Sequence, residues 1–406
     1  MKIDTAVAPR MREQQGFTII EMLVAVAVLM VVVAVVCSLL DPAQGTFQAQ
    51  PQVSDLQQRL RVGLDTLAKD IVMAGAGVSS GASAGPLSSH FSPVMPYRRG
   101  DVGDETRAGV FYRPDAITVL YVPPTHAHTT ISRATDLGSE LLVEARVNCG
   151  PDLHDRLCGF TEQMRVLLFE PRGTFDTLTI TDVRGEELLM QHGVALSSTY
   201  SDPDTVVAEV ASHTYYLKTD VPTGTFQLMH YDGYQTDFPI VDNVVKLEFE
   251  YFGDPLPPRV IPDVASVVEK RRTTYGPKPP PLDVDEPNDS WGTGENCVFA
   301  VVSGAYVPRL DALAGGRALV ALSPTMFEDG PWCPDAASER RFDADLLRIR
   351  RVRMLLRVQA ASASLRGPAG VLFTRGGTLS SAERFVPDQQ VRLDITPRNL
   401  EAARAW

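Results

Sequence analysis

The sequence predicts an α+β protein, with a long N-terminal hydrophobic α-helix followed by a large, mainly antiparallel β head domain. Two observations support this prediction. The 24 residues from Phe17 to Leu40 are apolar with almost no interruption, and at about 1.5 Å per residue they would span roughly 36 Å, enough to cross a bilayer. After Val78, segments that alternate apolar and polar residues follow one another with no long helical pattern between them. This order favours antiparallel strands over a parallel α/β sheet.

One acidic residue, Glu21, lies inside the apolar helix, five residues after Gly16. A carboxylate in lipid costs several kcal/mol, so an acid at this depth needs a partner and marks a functional site. Three other interpretations compete: a secretory signal peptide, a plain membrane anchor with an incidental acid, and a chance match. A signal peptide would have a shorter apolar core of about 7–15 residues and a small-residue cleavage site, whereas this segment is longer and is followed by Asp41-Pro42.

The order Gly16-Phe17-Thr18, then Glu21 and an unbroken apolar segment, resembles the type III signal of type IV prepilins and pseudopilins. The resemblance implies that a prepilin peptidase cuts after Gly16 and that the new N-terminal residue, Phe17, is N-methylated. It also implies that Glu21 pairs with the terminal amine of a neighbouring subunit during assembly. Residues 1–16 would then be a leader peptide and residues 17–40 the transmembrane and assembly helix.

The distribution of charge predicts an orientation in the membrane. The leader carries three basic and two acidic residues, and no basic residue follows the apolar segment before Arg59. The positive-inside rule therefore predicts a single pass through the inner membrane with the C-terminal head in the periplasm. In the family, such a protein then moves to the pilus or cell surface. The formal net charge of −12 argues against nucleic acid as a partner, because nucleic-acid binding needs a basic face.

Residues 41–77 are predicted to form a separate periplasmic helix. Asp41-Pro42 should weaken the first helix, because proline lacks a backbone donor and disfavours helix before it. Ser54 with Gln57 three residues later matches a capping box, and Gly75 and Gly77 would end the helix. An apolar stripe between them would dock the head onto the helix; it consists of Leu56, Leu60, Leu64, Leu67 and Ile71.

Three further segments are predicted after this helix: a β-rich head at 78–254, a proline-rich acidic insertion or linker at 255–296, and a C-terminal β-rich part of the head at 297–406. Lys246 to Phe252 shows the clearest strand alternation. Other strand candidates lie at 109–112, 116–122, 140–147, 165–169, 175–183, 206–217, 225–231, 244–252 and 390–395. The segment 346–358 predicts a strand with several arginines, either as one solvated charged face or as a surface for an acidic partner subunit.

Four of the five cysteines fall in two local sets, Cys149 with Cys158 and Cys297 with Cys333. An even count in a translocated domain predicts two disulfide bonds, most simply within each set, although four cysteines permit three connectivities. Free buried thiols are the alternative. A four-cysteine zinc site is disfavoured because the spacing C-x2-C is absent from the sequence. The fifth, Cys37, lies within the apolar helix, where a thiol behaves as a small hydrophobic group.

The sequence contains no motif for nucleotide binding, for a zinc protease or for a serine hydrolase, so we predict that the protein is not an enzyme. No cofactor and no metal site are predicted. His126 and His128 have no evident third ligand, and they fit a loop better than a metal site. Asp283 and the acidic residues that follow could bind calcium. Their spacing does not match that of an EF-hand, so a solvated acidic loop is favoured.

Later segments narrow the resemblance to PilW-type minor pilins. These segments are 55–61, 67–75, 241–249, the arginine-rich strand around Arg350, and 393–400. The resemblance implies action in the priming or tip complex of a type IV pilus, with other minor and major pilins as partners. The J-type pseudopilins of type II secretion share the N-terminal signal and remain an alternative. A third possibility is an adhesin displayed on a pilus. The chain departs from both families in its length and in the insertion after residue 255.

Overall fold

The computed structural model describes residues 16–77, 92–96, 114–125, 127–135, 138, 140–145, 157, 159–170, 175–185, 187–193, 196, 199–201, 203–220, 225–233, 237–255, 299–302, 305–308, 318–327, 344–379 and 385–402. For residues 38–48, 299–302, 305–308, 344 and 401–402 it describes the backbone only. The described residues form a long N-terminal helix and a head of antiparallel strands, which confirms the predicted fold class.

Helix α1 runs from Ile19 to Met73 without interruption. Its 55 residues correspond to a length of about 80 Å at 1.5 Å per residue. The predicted break at Asp41-Pro42 was wrong, and Ser54 lies inside the helix instead of capping a second one. Gly45 and Pro51, which would extend such a break, also lie inside the helix. Each of the two prolines removes one backbone hydrogen bond at a cost of about 3 kcal/mol, but the helix continues on both sides of each. The predicted end is confirmed, because Gly75 adopts a φ of 75° just beyond the last turn.

The C-terminal part of α1 packs on the head through the predicted apolar stripe. Leu56, Leu60, Leu67 and Ile71 are buried there, and Leu64 is partly buried against the same core. Where the helix crosses the sheet, Gly63 brings the backbone close: a Cβ at this position would lie 2.9 Å from Cδ2 of Leu356. The stripe therefore joins the long helix to the head, as the sequence predicted.

The larger sheet has eight antiparallel strands, and α1 packs against it. Its order is β1-β2-β9-β10-β11-β15-β16, with β14 also paired to β11. The bounds are β1 Val94–Pro96, β2 Ala116–Tyr121, β9 Ala211–Asp220, β10 Thr225–Tyr231, β11 Phe238–Gly253, β14 Val320–Leu322, β15 Ile349–Val358 and β16 Gln389–Ile395. The main hydrophobic core lies between this sheet and α1.

A second sheet has six strands in the order β3-β8-β5-β6-β7-β4. The bounds are β3 His128–Thr130, β4 Glu140–Leu142, β5 Arg165–Phe169, β6 Phe175–Arg184, β7 Leu189–His192 and β8 Val206–Glu209. It has a core cluster of its own, which includes Leu168, Tyr200 and Val207. Strands β12 Phe299–Val302 and β13 Ala305–Pro308 pair as a hairpin, and a short helix, α2, covers Arg398–Ala402.

Several predicted strands agree closely with the structure, and others do not. The predicted strand 346–358 begins only at Ile349, because Ala344–Arg348 form a 3-10 helix, and the predicted strand 140–147 ends at Leu142. The predicted strands 165–169 and 225–231 coincide with β5 and β10. The predicted single strand 206–217 is instead two strands, β8 and β9, which belong to different sheets. The chain passes between them at Val210, whose N–H donates to the carbonyl of Arg165 at 2.9 Å. The sequence pattern does not reveal this change, because apolar buried residues occur on both sides of it, Val207 and Ala208 before and Ala211 after.

Some predictions lie outside the described residues. These are the leader up to residue 15, the strand at 109–112, the acidic stretch from Asp283 to Asp289, His126, and all four cysteines of the predicted disulfide pairs. Of the insertion at 255–296, only Pro255 is described. Cys37 is a free thiol exposed on α1.

Candidate functional site

The first candidate site is the start of α1, where Thr18 and Glu21 form a capping box. Thr18 is extended, with φ −77° and ψ 150°, and its Oγ1 accepts a hydrogen bond from the Glu21 N–H at 3.3 Å. In return Glu21 Oε2 accepts from the Thr18 N–H and from Thr18 Oγ1, each at 2.9 Å. Glu21 therefore caps the helix to which it belongs. Its carboxylate is held next to Thr18, directly after Gly16 and Phe17 in the chain.

The helix that follows this cap presents an apolar surface on all sides. Every residue from Phe17 to Cys37 is exposed, and Ile19–Cys37 is a helix long and apolar enough to cross a membrane. Its 19 residues correspond to about 29 Å, close to the thickness of the hydrocarbon core of a bilayer. An exposed apolar surface of this size indicates contact with lipid or with other subunits. Gly16, Phe17 and Glu21 are thus gathered at one end of a membrane-length helix.

A second candidate site lies at the other end of α1, around Asp70. This side chain is only 6 % exposed and points from the last turns of the helix into the larger sheet. Tyr121 on β2 donates its hydroxyl to Asp70 Oδ1 at 2.9 Å, and Tyr215 on β9 donates to Oδ2. A buried carboxylate is stable only when it is hydrogen-bonded, and here both bonds come from strands of the head. These hydrogen bonds therefore hold α1 on the head in addition to the packing of the apolar stripe.

Two histidines extend this network across the sheet. His213 Nε2 lies 3.1 Å from Tyr121 Oη, and His213 Nδ1 lies 2.7 Å from His230 Nε2. Because Tyr121 donates its proton to Asp70, its oxygen accepts from His213 Nε2–H, and His213 Nδ1 then accepts from His230 Nε2–H. The result is a directed chain of donors, from His230 to His213 to Tyr121 to Asp70.

Burial favours the neutral form of the two histidines, and aromatic packing holds the rings in place. Burial lowers the pKa of His213, although Asp70 opposes the shift. Burial together with repulsion from His213 lowers the pKa of His230 to about 4. Burial, followed by the charge of Asp70, raises the pKa of Tyr215. The rings of Tyr215 and His230 stack with centroids 4.8 Å apart, and those of His213 and His230 are 5.0 Å apart.

The arginines of the predicted strand form two groups. Arg348 and Arg350 are buried in the head, whereas Arg351, Arg353 and Arg357 lie on a partly exposed face of β15, as the alternative of a charged, solvated face predicts. Arg348 is only 4 % exposed; it contacts Asp345 at 2.9 Å and donates to the carbonyl of Asp254 at 2.8 Å. Arg350 Nη2 lies 3.0 Å from Asp254 Oδ2. These side chains hold the end of β11 against the start of β15. A buried charge needs a partner acid, and for Arg350 this acid is Asp254, directly after the end of β11 and far from Arg350 in the sequence.

The outer arginines of β15 are also bound to acids of this chain. Arg353 makes a two-point contact with Asp394 on β16, at 2.5 and 3.0 Å. The same bond lowers the pKa of Asp394. Arg357 Nη2 lies 3.0 Å from Asp388 Oδ2, which also accepts from the Thr374 N–H at 2.7 Å. These two arginines therefore hold β16 and the loop before it against β15 through ion pairs within the head.

Sequence reasoning found the N-terminal site but missed the cluster around Asp70. A sequence signal for the cluster exists, because His213 and Tyr215 alternate on one face of a strand and His230 falls in the next strand. The register His230↔Tyr215 brings them together. That register and the position of Asp70 over the sheet are properties of the tertiary structure. The sequence analysis predicted no metal-ligand set, whereas the structure places three such side chains within reach of one another.

Comparison with known proteins bears on the N-terminal segment. The family model described as the prokaryotic N-terminal methylation motif matches residues 11–36. These residues are a type IV pilin-like prepilin signal, and the motif supports a part in the assembly of a type IV pilus or of a pseudopilus. It implies processing by prepilin peptidase and pilin partners in general. No significant match was found among curated proteins or among solved structures.

Proposed function

We propose that this chain is a minor pilin of the PilW type that acts in the priming or tip complex of a type IV pilus. The observation that carries the proposal is the division of α1 into two parts. Its first part is exposed and apolar from Phe17 to Cys37 and begins with the Thr18–Glu21 capping box. Its last part is packed on the head through Leu56, Leu67 and Ile71. One continuous helix thus joins an apolar segment of membrane length to a large head.

Glu21 is the residue that drives assembly in this proposal. After cleavage behind Gly16, the new amine of Phe17 lies next to the helix start. A charged amine and a charged carboxylate in lipid each cost several kcal/mol, and pairing them between neighbouring subunits offsets that cost. A carboxylate has about four acceptor positions, so the two bonds from Thr18 leave capacity for the amine of a neighbour. Subunits would then associate by helix packing with their charges in register.

The size of the head supports a position at the tip. About 330 residues follow the helix, and a head of this size is difficult to repeat around a slender helical spine. At the end of a filament the same bulk meets fewer neighbours. The chain would act by polymerisation and not by catalysis, from the inner membrane with its head in the periplasm, and then on the pilus.

Replacing Glu21 tests the assembly mechanism. Glu21→Gln keeps an acceptor for Thr18 and therefore the capping box, but it removes the charge. We expect normal membrane insertion and cleavage after Gly16, with loss of incorporation into sheared filaments. Thr18→Ala is the matched control, because it weakens the cap by about 1 kcal/mol and keeps the carboxylate. Normal incorporation of Glu21→Gln would contradict the mechanism. Mass spectrometry of the N-terminal peptide would report both cleavage and methylation of Phe17.

Deleting the gene separates the minor pilin from the J-type pseudopilin, whose N-terminal signal is the same. Surface pili with twitching motility and secretion of folded exoproteins are measured in one strain. Loss of pili with normal secretion supports the proposal. Loss of secretion with normal pili would assign the chain to type II secretion. An adhesin would leave pilus number unchanged and reduce attachment alone.

A further inference from the structure

The cluster at the junction of α1 and the larger sheet has the ligand types of a transition-metal site. We propose that Asp70, His213 and His230 bind one divalent ion of the zinc class, which fastens the long helix to the head. The inference concerns the head and is independent of the proposed role in the pilus. Two imidazoles and one carboxylate suit zinc and its neighbours in the first transition row, whereas calcium prefers a shell of oxygens.

The distances between the ligand atoms fit such an ion after a small adjustment. One ligand atom from each residue lies within 4.8 Å of the others. His213 Nδ1 is 2.7 Å from His230 Nε2 and 3.8 Å from Asp70 Oδ2. Bonds of roughly 2.0–2.2 Å at tetrahedral angles would place neighbouring ligand atoms about 3.4 Å apart. The distance between the two histidines must open by about 0.7 Å and that between His213 and Asp70 must close by about 0.4 Å to reach this tetrahedral spacing. The distance between Asp70 and His230, which is no more than 4.8 Å, must reach the same value, and side-chain torsions can supply such changes.

The surroundings supply the outer hydrogen bonds that metal-binding histidines need. With Nδ1 of His213 on the metal, its Nε2–H still donates to Tyr121 Oη at 3.1 Å. Tyr121 in turn donates to Asp70 Oδ1 at 2.9 Å, so one tyrosine orients two of the three ligands. Asp70 Oδ2 can accept from Tyr215 and still use its second lone pair for the metal.

The three ligands come from three different secondary-structure elements, so a bound ion would connect these elements. Asp70 belongs to α1, His213 to β9 and His230 to β10. A shared ion would therefore cross-link the helix to two adjacent strands. Binding moves the His230 proton from Nε2 to Nδ1, so the imidazole stays neutral and no net proton is released. Three protein ligands leave a fourth position for water.

The test uses the full chain in detergent, purified without a histidine tag and stripped with a chelator. Calorimetric titration with ZnCl₂ is expected to show one site per chain, and zinc is expected to raise the midpoint of thermal unfolding. CaCl₂ is expected to do neither. His213→Gln and His230→Gln should each weaken zinc binding by about 100-fold or more, because each removes a ligand. His128→Gln, on β3 in the other sheet, is the matched control and should bind as the wild type does.

A second variant covers the case in which the histidine variants do not fold. Tyr121→Phe keeps all three ligands and the ring, and it removes only the outer hydrogen bonds. It should lower zinc affinity by roughly 10- to 100-fold, with circular dichroism confirming the fold. The absence of a stoichiometric site in the wild type would overturn the proposal. So would unchanged zinc affinity in a folded His213→Gln or His230→Gln chain, or in Tyr121→Phe.

Discussion

The contact between α1 and the head should be most sensitive at Gly63, because the helix has no side chain there. A Cβ would lie 2.9 Å from Leu356 Cδ2 and 3.1 Å from Val241 Cγ2, and a leucine adds three further carbons. Overpacking of this kind costs about 1–3 kcal/mol. The change from glycine to leucine returns less than about 1 kcal/mol through helix propensity. We therefore expect Gly63→Leu to destabilise the protein by about 1–2 kcal/mol.

The sign of this change distinguishes the structure from an undocked helix. At an exposed helical position the same substitution would stabilise by nearly 1 kcal/mol, because glycine is the poorer helix former. Val62→Leu is the neighbouring control: Val62 is 43 % exposed, and the expected effect is a few tenths of a kcal/mol. Gly63→Ala should lie close to the wild type, because its single carbon meets the flexible end of Leu356 and its helix propensity is higher.

The assay is equilibrium denaturation in urea of the full chain in detergent, followed by near-ultraviolet circular dichroism. The midpoint for Gly63→Leu should fall while the slope with denaturant stays unchanged, since only native-state packing is altered. A Gly63→Leu chain more stable than the wild type would refute the packing of α1 on Leu356 and Val241. In that case the stripe from Leu56 to Ile71 would also need another explanation.

Three further predictions concern the packing of α1 on the head and the head itself. Leu67→Ala should lower the free energy of unfolding by about 2–5 kcal/mol, measured by urea denaturation, because a fully buried leucine leaves a cavity. Gly253→Ala should cost about 3 kcal/mol or more in the same assay, since the new Cβ would lie 2.1 Å from the backbone oxygen of Arg348, which cannot move away as a side chain can. Asp237→Asn should lower the free energy of unfolding by about 1 kcal/mol at pH 7. Burial alone would raise the pKa of Asp237, but hydrogen bonds from Tyr216 and Lys218 outweigh it and lower the pKa overall. The stability that Asp237 contributes is present above the ordinary carboxyl pKa of about 4 and is lost as pH falls through the lowered value. The difference in unfolding free energy between wild type and Asp237→Asn should therefore be smaller at pH 3 than at pH 7. An equal difference at both pH values would contradict this account.

Local patterns were sufficient for the start of the chain and for many strands. The signal around Gly16 and Glu21 is contiguous in sequence, and its helix needs no tertiary contact to be recognised. Strands such as 165–169 and 225–231 were predicted with their observed bounds, because short segments rich in apolar residues define them locally. The stripe from Leu56 to Ile71 follows in the same way from helical periodicity.

Other features depended on which segments meet. Pro42 predicted a helix break because proline lacks a backbone donor, but α1 continues through Pro42 and also through Pro51. The division of 206–217 between two sheets is set by pairing with β5 and β10. No local sequence pattern indicates which of the two sheets each half of this segment joins.

The sequence by itself determined the N-terminal signal, the long helix, the apolar stripe and the β-rich character of the head, because each depends on the order of neighbouring residues. The tertiary structure alone decided that the arginines of β15 pair with Asp254, Asp388 and Asp394, and that Asp70 meets His213 and His230. These contacts join residues up to about 160 positions apart. Their formation depends on strand register and on where the helix crosses the sheet, and both are set by the packing of the whole core.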